Sequence, residues 1–314
     1  MIKLAIVSPC YNEEDVLEYS ANVLLREIES LRNERKITGD SFILFVNDGS
    51  KDSTWSIISR LHSDNPTIKG ISLARNVGHQ NALMAGMMAV KEICDAAITI
   101  DCDLQDDVDA IEKMIDKHQE GFDVVYGVKV SREGDSFIKR LSAQAFYRLQ
   151  KGYANIEAIY NHADFRLLSK RVLNVLSQYH ESNLYLRGII PRIGFSSTTV
   201  DDVISKRKAG KSKYSLRKMM TLALDGITSF SAKPMMSIIH VGLLFTIVSF
   251  LLMVYVLVKY FSGDVVQGWS SLMISIWFIG GVLLISLGVI GIYVGRIFTE
   301  VKHRPLYTIR DTLL

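Results

Sequence analysis

"AAITIDCDLQDD", residues 96–107, runs from an apolar, β-prone stretch straight into four carboxylates, Asp101, Asp103, Asp106 and Asp107. Like charges this close repel one another, so the run calls for a cation or for some other neutralisation. Four further apolar, β-rich runs share its character: "KLAIVS" (3–8), "FILFVND" (42–48), "IKGISLA" (68–74) and "FDVVYGV" (122–128). Amphipathic stretches separate them, for example residues 14–32 and 107–119. Alternation of this kind predicts an α/β fold with a mostly parallel sheet covered on both faces. In such sheets ligands bind beyond the carboxyl ends of the strands. Polar clusters stand there: "SPCYNEED" (8–15), "NDGSKDST" (47–54), "ARNVGHQ" (74–80) and "DCDLQDD" (101–107). One such cluster is an ordinary turn or helix start. Four at consecutive strand ends predict a single crevice.

The 314 residues, 48% hydrophobic, suffice for one large domain or two smaller ones. A formal charge of +3 is too small for a general nucleic-acid binder. Cys10, Cys94 and Cys102 have neither metal-site spacing nor an even-numbered disulfide framework, which points to a reducing compartment. The first apolar run is too short for a signal peptide, and none is expected.

The C-terminal third is different. Met235–Val258 has no Asp, Glu, Lys or Arg over 24 residues, roughly 36 Å as a helix against a hydrocarbon core of about 30 Å. Val265–Gly295 is a second uncharged run, most apolar after Trp269. Two transmembrane helices, about 235–258 and 269–295, are the expectation. Cations crowd Lys206–Lys233 before the first, and Arg296, Lys302, Arg304 and Arg310 follow the second. By the positive-inside tendency both chain ends then lie in the cytoplasm. Between the cations and the first span, "YSLRKMMTLALDGITSF" (214–230) carries apolar residues at helical spacing. It is read as an amphipathic interfacial helix, residues 214–233, although packing on the soluble part fits the periodicity nearly as well. The division is therefore 1–213 catalytic, 214–233 interfacial, 234–296 transmembrane and 297–314 a cytoplasmic tail.

The motifs "PCYNEE" (9–14), "NDGSKDST", "RNVGHQ", "DCDLQ" and "DFR" (164–166), with "GIYVGR" (291–296) after them, resemble the family 2 glycosyltransferases of the GT-A fold. Within that family the pattern is most similar to the polyprenyl-phosphate branch, which includes dolichol-phosphate mannose synthase and bactoprenol glucosyltransferases. The resemblance implies an inverting enzyme of the inner membrane. It would move one hexose, glucose first in expectation, from a UDP-linked donor to polyprenyl (undecaprenyl) phosphate. Pro9, Tyr11, Glu13 and Asp48 would line the donor, Asp48 taking a hydrogen bond from the base. Asp103 and Gln105, with Asp101 nearer the nucleotide, would hold Mg2+ or Mn2+ on the diphosphate. Asp106 and Asp107 fit the pattern less well and are read as helix start and solvent. Arg75 either pairs with an acid or approaches the donor.

Asp164 stands where the family has its proposed catalytic base. The acceptor phosphate is already anionic, so Asp164 orienting acceptor or sugar, or pairing with Arg166, stays open beside that role. Lys129, Arg132, Lys139 and Arg207 are the implied contacts to the acceptor phosphate; lysine at 129 cannot grip phosphate bidentately. The partners are thus the nucleotide sugar, the lipid phosphate and the bilayer, not nucleic acid. A homo-oligomer, a tetramer among the states admitted, is expected from the small residues Gly288, Gly291 and Gly295. Transfer of N-acetylglucosamine, a processive polysaccharide synthase and a non-catalytic scaffold are the alternatives. No Arg-Trp pair exists for the Q-x-x-R-W element of processive relatives. "AGKS" (209–212) is no P-loop, because Ser205 stands where its first glycine belongs.

Overall fold

The computed structural model describes residues 1–129, 162–182, 184–202, 233–262 and 268–314. Its strands are β1 (Leu4–Cys10), β2 (Phe42–Asn47), β3 (Ile68–Leu73), β4 (Ala96–Thr99), β5 (Val124–Lys129), β6 (His162–Ser169), β7 (Ser197–Asp202) and β8 (Ile309–Leu313). They form one sheet in the order β7-β5-β6-β4-β1-β2-β3-β8. The centre, β4-β1-β2-β3, is parallel, as the strand–helix alternation predicts. The outer part is not: β6 lies antiparallel between β4 and β5, and β8 lies antiparallel on β3. The sheet is therefore mixed.

β1 through β4 are buried almost throughout, which is why they read as continuous apolar runs rather than alternating ones. One face carries α1 (Leu17–Asn33), α2 (Thr54–Asp64) and α4 (Ala110–Gln119), with Leu24, Ile28, Ile58, Ile111 and Met114 against Ile6, Phe45 and Ile98. The other carries α3 (His79–Val90), α5 (Lys170–Leu176) and α6 (Leu186–Ile193), with Leu83, Met87, Leu173 and Ile190 against Val7, Val46 and Ala97. Each such side chain contributes roughly 1.5–3 kcal/mol by leaving water. α3 approaches the sheet most closely at Gly86. A Cβ there would lie 2.4 Å from Val7 Cγ1 and 2.7 Å from Val46 Cγ2, so Gly86→Ala would force the helix off the sheet.

Two long helices follow, α7 (Lys233–Phe261) and α8 (Trp269–Val301). Among the described residues, Phe278–Val301 is the one stretch of helix found long and apolar enough to cross a membrane. The rings of Phe245 and Phe278 meet at 5.3 Å between centroids, so the two helices touch. Among the described side chains many apolar ones point outward, Leu243, Leu244, Phe250 and Leu251 on α7 and Leu284, Ile285 and Leu287 on α8 all being exposed. Residues 309–313, expected only as part of a tail, are the eighth strand of the sheet. The expected interfacial helix lies outside the described residues.

Candidate active site

The four polar clusters do sit at the carboxyl ends of β1 to β4, and hydrogen bonds knit the first two together. After β1, Asn12 takes φ +54°, a left-handed conformation that asparagine tolerates better than most residues. Its N–H donates to Ser50 Oγ at 3.0 Å, and its Oδ1 accepts from the Lys51 N–H at 2.9 Å. The Glu13 N–H donates to Thr54 Oγ1 at 3.0 Å. Tyr11 is exposed and Glu13 partly so, whereas Pro9 is buried within β1. Behind the second loop, Asn47 Nδ2 donates to Ser72 Oγ at 2.9 Å while Asn47 Oδ1 accepts from the Ser50 N–H at 3.1 Å.

Asp48 has partners other than the one expected of it. It is 3% exposed, and its two carboxylate oxygens accept the Val77 and Gly78 N–H groups at 2.7 and 3.0 Å. Burial pushes its pKa up and the two amide donors oppose that. The carboxylate therefore pins the third loop to the second. Gly49 completes the contact: at φ +62°, a Cβ would stand 2.4 Å from the Arg75 carbonyl carbon and 2.5 Å from Asn76 N. Arg75 itself is exposed beside Asp48, whose carboxylate its charge favours.

The acidic loop after β4 turns at Leu104, which holds φ +45°, a conformation that costs a leucine about 1 kcal/mol or more and is found where a loop is functionally constrained. Asp103 accepts from its neighbour Gln105, through the N–H at 3.3 Å and Nε2 at 2.9 Å. Asp101 is half-exposed. Desolvation, with help from Asp106, Asp164 and Asp103 and against His79, pushes its carboxyl up to about 6.

Asp106 does not face solvent as expected. It is 4% exposed and paired with Lys129 Nζ at 3.2 Å, next to the fully buried Asp202. Burial first, and Asp202 after it, push Asp106 up to about 6 against the pull of Lys129. Asp202 Oδ1 in turn accepts the Asp107 N–H at 2.8 Å, and Asp107 Oδ1 accepts the Asp109 N–H at 3.2 Å just before α4. Lys129, expected at the acceptor phosphate, is thus the counter-ion of a buried acid at the end of β5. Arg132, Lys139 and Arg207 lie outside the described residues.

Asp164 is the centre of a dense polar network among the described residues. Residues two apart on a strand share a face, so Asp164 and Arg166 of β6 both point to the side covered by α3 and α6. From the first turn of α3, His79 Nε2 approaches Asp164 Oδ2 at 3.3 Å and Gln80 Nε2 donates to the same oxygen at 3.1 Å. From the first turn of α6, Arg187 Nη2 donates to Oδ2 at 3.0 Å and its Nε to Oδ1 at 3.2 Å. Arg166, 1% exposed, donates Nη2 to Oδ1. Gln80 Oε1 accepts the Leu186 N–H at 3.1 Å, which ties α6 to α3. Burial alone would raise the Asp164 pKa, but His79, Arg166 and Arg187 hold it well below the usual carboxylate range. His79 also lies 3.6 Å from Asp101 Oδ1, bridging the acidic loop to Asp164. Its pKa is displaced upward: burial pulls it down, and the bond to Asp164 with the two carboxylates outweighs that.

The fold, the four strand-end loops and the acidic turn now carry their own comparison. Residues 5–176 match the model of "Glycosyl transferase family 2". The chain belongs to family 2 of the glycosyltransferases. It is 47% identical over 306 residues, 98% of its length and 90% of the relative's, to the uncharacterized glycosyltransferase YkoT of Bacillus subtilis. It is 38% identical over 311 residues, 99% of both chains, to the bactoprenol glucosyl transferase of Shigella phage SfV. Among solved structures it is similar to a mycobacterial glucosyl-3-phosphoglycerate synthase in complex with Mn2+, UDP and phosphoglyceric acid. That likeness has a TM-score of 0.47 and 16% identity, and covers 71% of this chain and 75% of that one.

For this glycosyltransferase, reading the motifs alone misses His79, Gln80 and Arg187. "RNVGHQ" contained the first two as a cluster without a role. Arg187 had no local signal, because its partner Asp164 is 23 residues earlier in the chain.

Proposed function

We propose that this glycosyltransferase moves a single hexose, glucose by preference, with inversion from a UDP-linked donor to polyprenyl phosphate at the cytoplasmic membrane. What carries the reading is end-to-end similarity to bactoprenol glucosyl transferases in a chain that joins this cleft to a pair of lipophilic helices. An outward apolar surface over both α7 and α8 is what a bilayer, not water, would cover. The flanking cations support a cytoplasmic side for the cleft and both chain ends, by the positive-inside tendency.

A divalent cation fits the acidic turn. Asp101, Asp103 and Gln105 offer hard oxygen donors, and the Asp101 carboxyl is raised first by desolvation and then by the carboxylates around it, whose repulsion a cation would relieve. Among the described residues no group of three His, Cys, Asp or Glu converges as a ready cage. One or two carboxylates completed by diphosphate oxygens is the way Mg2+ is held in phosphate-handling sites, and Mn2+ shares those ligands. Bound there, the cation would neutralise the departing diphosphate. Tyr11 and Glu13 flank the donor, whereas Asp48 acts by holding the second and third loops together.

The acceptor phosphate oxygen forms the new bond to the anomeric carbon as the bond to the diphosphate breaks, and the electron pair leaves with UDP. A phosphate monoester is largely ionised at pH 7, its second pKa being about 6, so no strong base is needed. Asp164, held far below neutrality, suits that: it keeps Arg187 and His79 aimed at the cleft, where anionic groups meet. Arg132, Lys139 and Arg207 remain the proposed headgroup contacts. The test is incubation of membranes with a panel of nucleotide sugars and undecaprenyl phosphate, with the lipid product identified by mass. A single hexose on the lipid phosphate is the expected product; a polymer, or no lipid product from any donor, refutes the reading.

A further inference from the structure

β8 belongs to the chain beyond the apolar helices, yet it is hydrogen-bonded to the strand next to the donor loops. The C-terminal turn of α8 is held to the sheet domain, the Ser182 N–H donating to Glu300 Oε2 at 2.9 Å. The chain then reverses at His303, which takes φ +46°. Tyr307 packs on the core face that carries α3, and Leu313 packs on the other face against Gly70 and its neighbours. Between them the strand pairs Gly70 with Leu313, Ile71 with Thr312 and Ser72 with Asp311.

Two routes lead from this strand to the donor loops. The first is through the backbone. The Ala74 N–H donates to the Thr308 carbonyl at 2.9 Å, fixing the root of the third loop. The next two residues, Arg75 and Asn76, are those against which Gly49 closes, and Val77 and Gly78 hold Asp48. The second is through side chains. Arg310 Nη2 donates to Ser72 Oγ at 3.2 Å, the same oxygen that accepts Asn47 Nδ2 at 2.9 Å. Asn47 Oδ1 accepts the Ser50 N–H, and Ser50 Oγ accepts the Asn12 N–H. A continuous path thus runs from Arg310 to the loops that carry Tyr11, Glu13 and Asp48.

We infer that the segment after the membrane helices is a working part of the donor site, and that Arg310 is a positioning residue for the loops at 11–14 and 47–54. The consequence is a physical link: seating of α8 in the bilayer and shape of the donor pocket are joined through one strand. This rests on the donor reading above, so its test includes a measurement that does not need the donor.

Full-length wild type, Arg310→Ala, Arg310→Lys and a chain ending at Arg304 are compared in nanodiscs. Amide exchange at residues 47–54 and 74–78, the KM for UDP-glucose and the KM for undecaprenyl phosphate are measured. Arg310→Ala should raise the donor KM roughly 3- to 10-fold, the factor that one net hydrogen bond supplies. The lipid KM and kcat should stay put, exchange at 47–54 should quicken, and Arg310→Lys should recover most of the loss. The shortened chain should show faster exchange in both loops. A wild type inert toward UDP-glucose would refute the donor reading while exchange still decides the coupling. Unchanged exchange at 47–54 in Arg310→Ala, or equal changes in both KM values, would overturn the inference.

Discussion

Replacing Asp164 by Asn separates a base from an electrostatic anchor. In the structure Asp164 Oδ1 accepts from Arg166 Nη2 and Arg187 Nε, and Oδ2 from Gln80 Nε2 and Arg187 Nη2 with His79 Nε2 close by. Asn offers one oxygen. Whichever way its amide turns, an NH2 group faces at least two donors, and the buried Arg166 loses its counter-ion. Removing one partner of a buried pair costs about 3–5 kcal/mol. Part of the network is wet, the Arg187 side chain being 42% exposed, so a loss of about 2–4 kcal/mol is expected after allowing for screening. For a sheet domain of this size that lowers Tm by about 5–15 °C.

The pH dependence follows from the sign of the shift. The Asp164 pKa is depressed on folding, so its stabilisation is complete above the unfolded value of about 3.9. It is lost only as pH falls through the lower folded value. In a His79→Gln background, which removes the imidazole whose pKa Asp164 raises, the Tm gap between chains with and without Asp164→Asn should therefore be flat from pH 8 to pH 5 and narrow only in acid below that. With His79 in place the gap should also shrink as pH rises through neutrality and the imidazole loses its charge. Thermal unfolding of the detergent-solubilised pair across pH 4–8 measures it. A gap that still changes between pH 5 and pH 7 in the His79→Gln background would mean a carboxyl titrating near neutrality, and the anchor reading would be wrong.

Other outcomes test other parts of the site. Asp103→Ala, or a chelator applied to the wild type, should reduce transfer at least about 100-fold without loss of fold or membrane attachment; full turnover in chelator sinks the cation assignment. Lys129→Ala strips Asp106 of its counter-ion, so Tm should fall while the lipid KM holds; a selective rise in lipid KM would restore Lys129 to the acceptor. Arg207→Ala should raise the lipid requirement well above any change in donor KM, and equal effects would make Arg207 structural. Nothing described lies within 4 Å of a Cβ built on Gly291 or Gly295, so Gly291→Leu with Gly295→Leu should weaken cross-linked oligomers in native membranes, and unchanged oligomers would count against contact through that groove.

The central sheet was legible because it obeys one rule. Strands buried on both faces are unbroken apolar runs, and β1 to β5 are such runs. The three that escaped notice break it for different reasons. β7, "STTVDD", has mostly exposed or half-buried residues and ends in the buried Asp202. β8, "IRDTL", is an edge strand whose side chains mostly meet solvent, so hydrophobic patterning leaves almost no trace. Neither can be found without its neighbour, since pairing with β5 and β3 is what makes them strands. Asp106 was misplaced for a related reason. Its counter-ion Lys129 and its fellow acid Asp202 arrive from two strands distant in sequence, and a run of four aspartates does not say which one turns inward.

β6 is the most instructive of the three. "HADFRLLS" puts Asp164 and Arg166 inside a strand flanked by β4 and β5, a place where an unpaired charge would cost several kcal/mol. Read as neighbours, the two residues suggest an isolated ion pair, and that pair does form. Read by alternation, they say more. Phe165 and Leu167 face the α1 side of the core, so Asp164 and Arg166 must face the α3 side, where a carboxylate and a guanidinium need further partners. That side supplies two helix starts, at His79 and at Leu186, and both bring polar side chains in their first turns. The sequence therefore contains the demand for a network at β6 but not the identity of its suppliers. The same constraint explains why the Asp164 pKa lies below the usual carboxylate range: a carboxylate can stand in the middle of this sheet only if cations surround it, and cations that stabilise its charge depress its basicity.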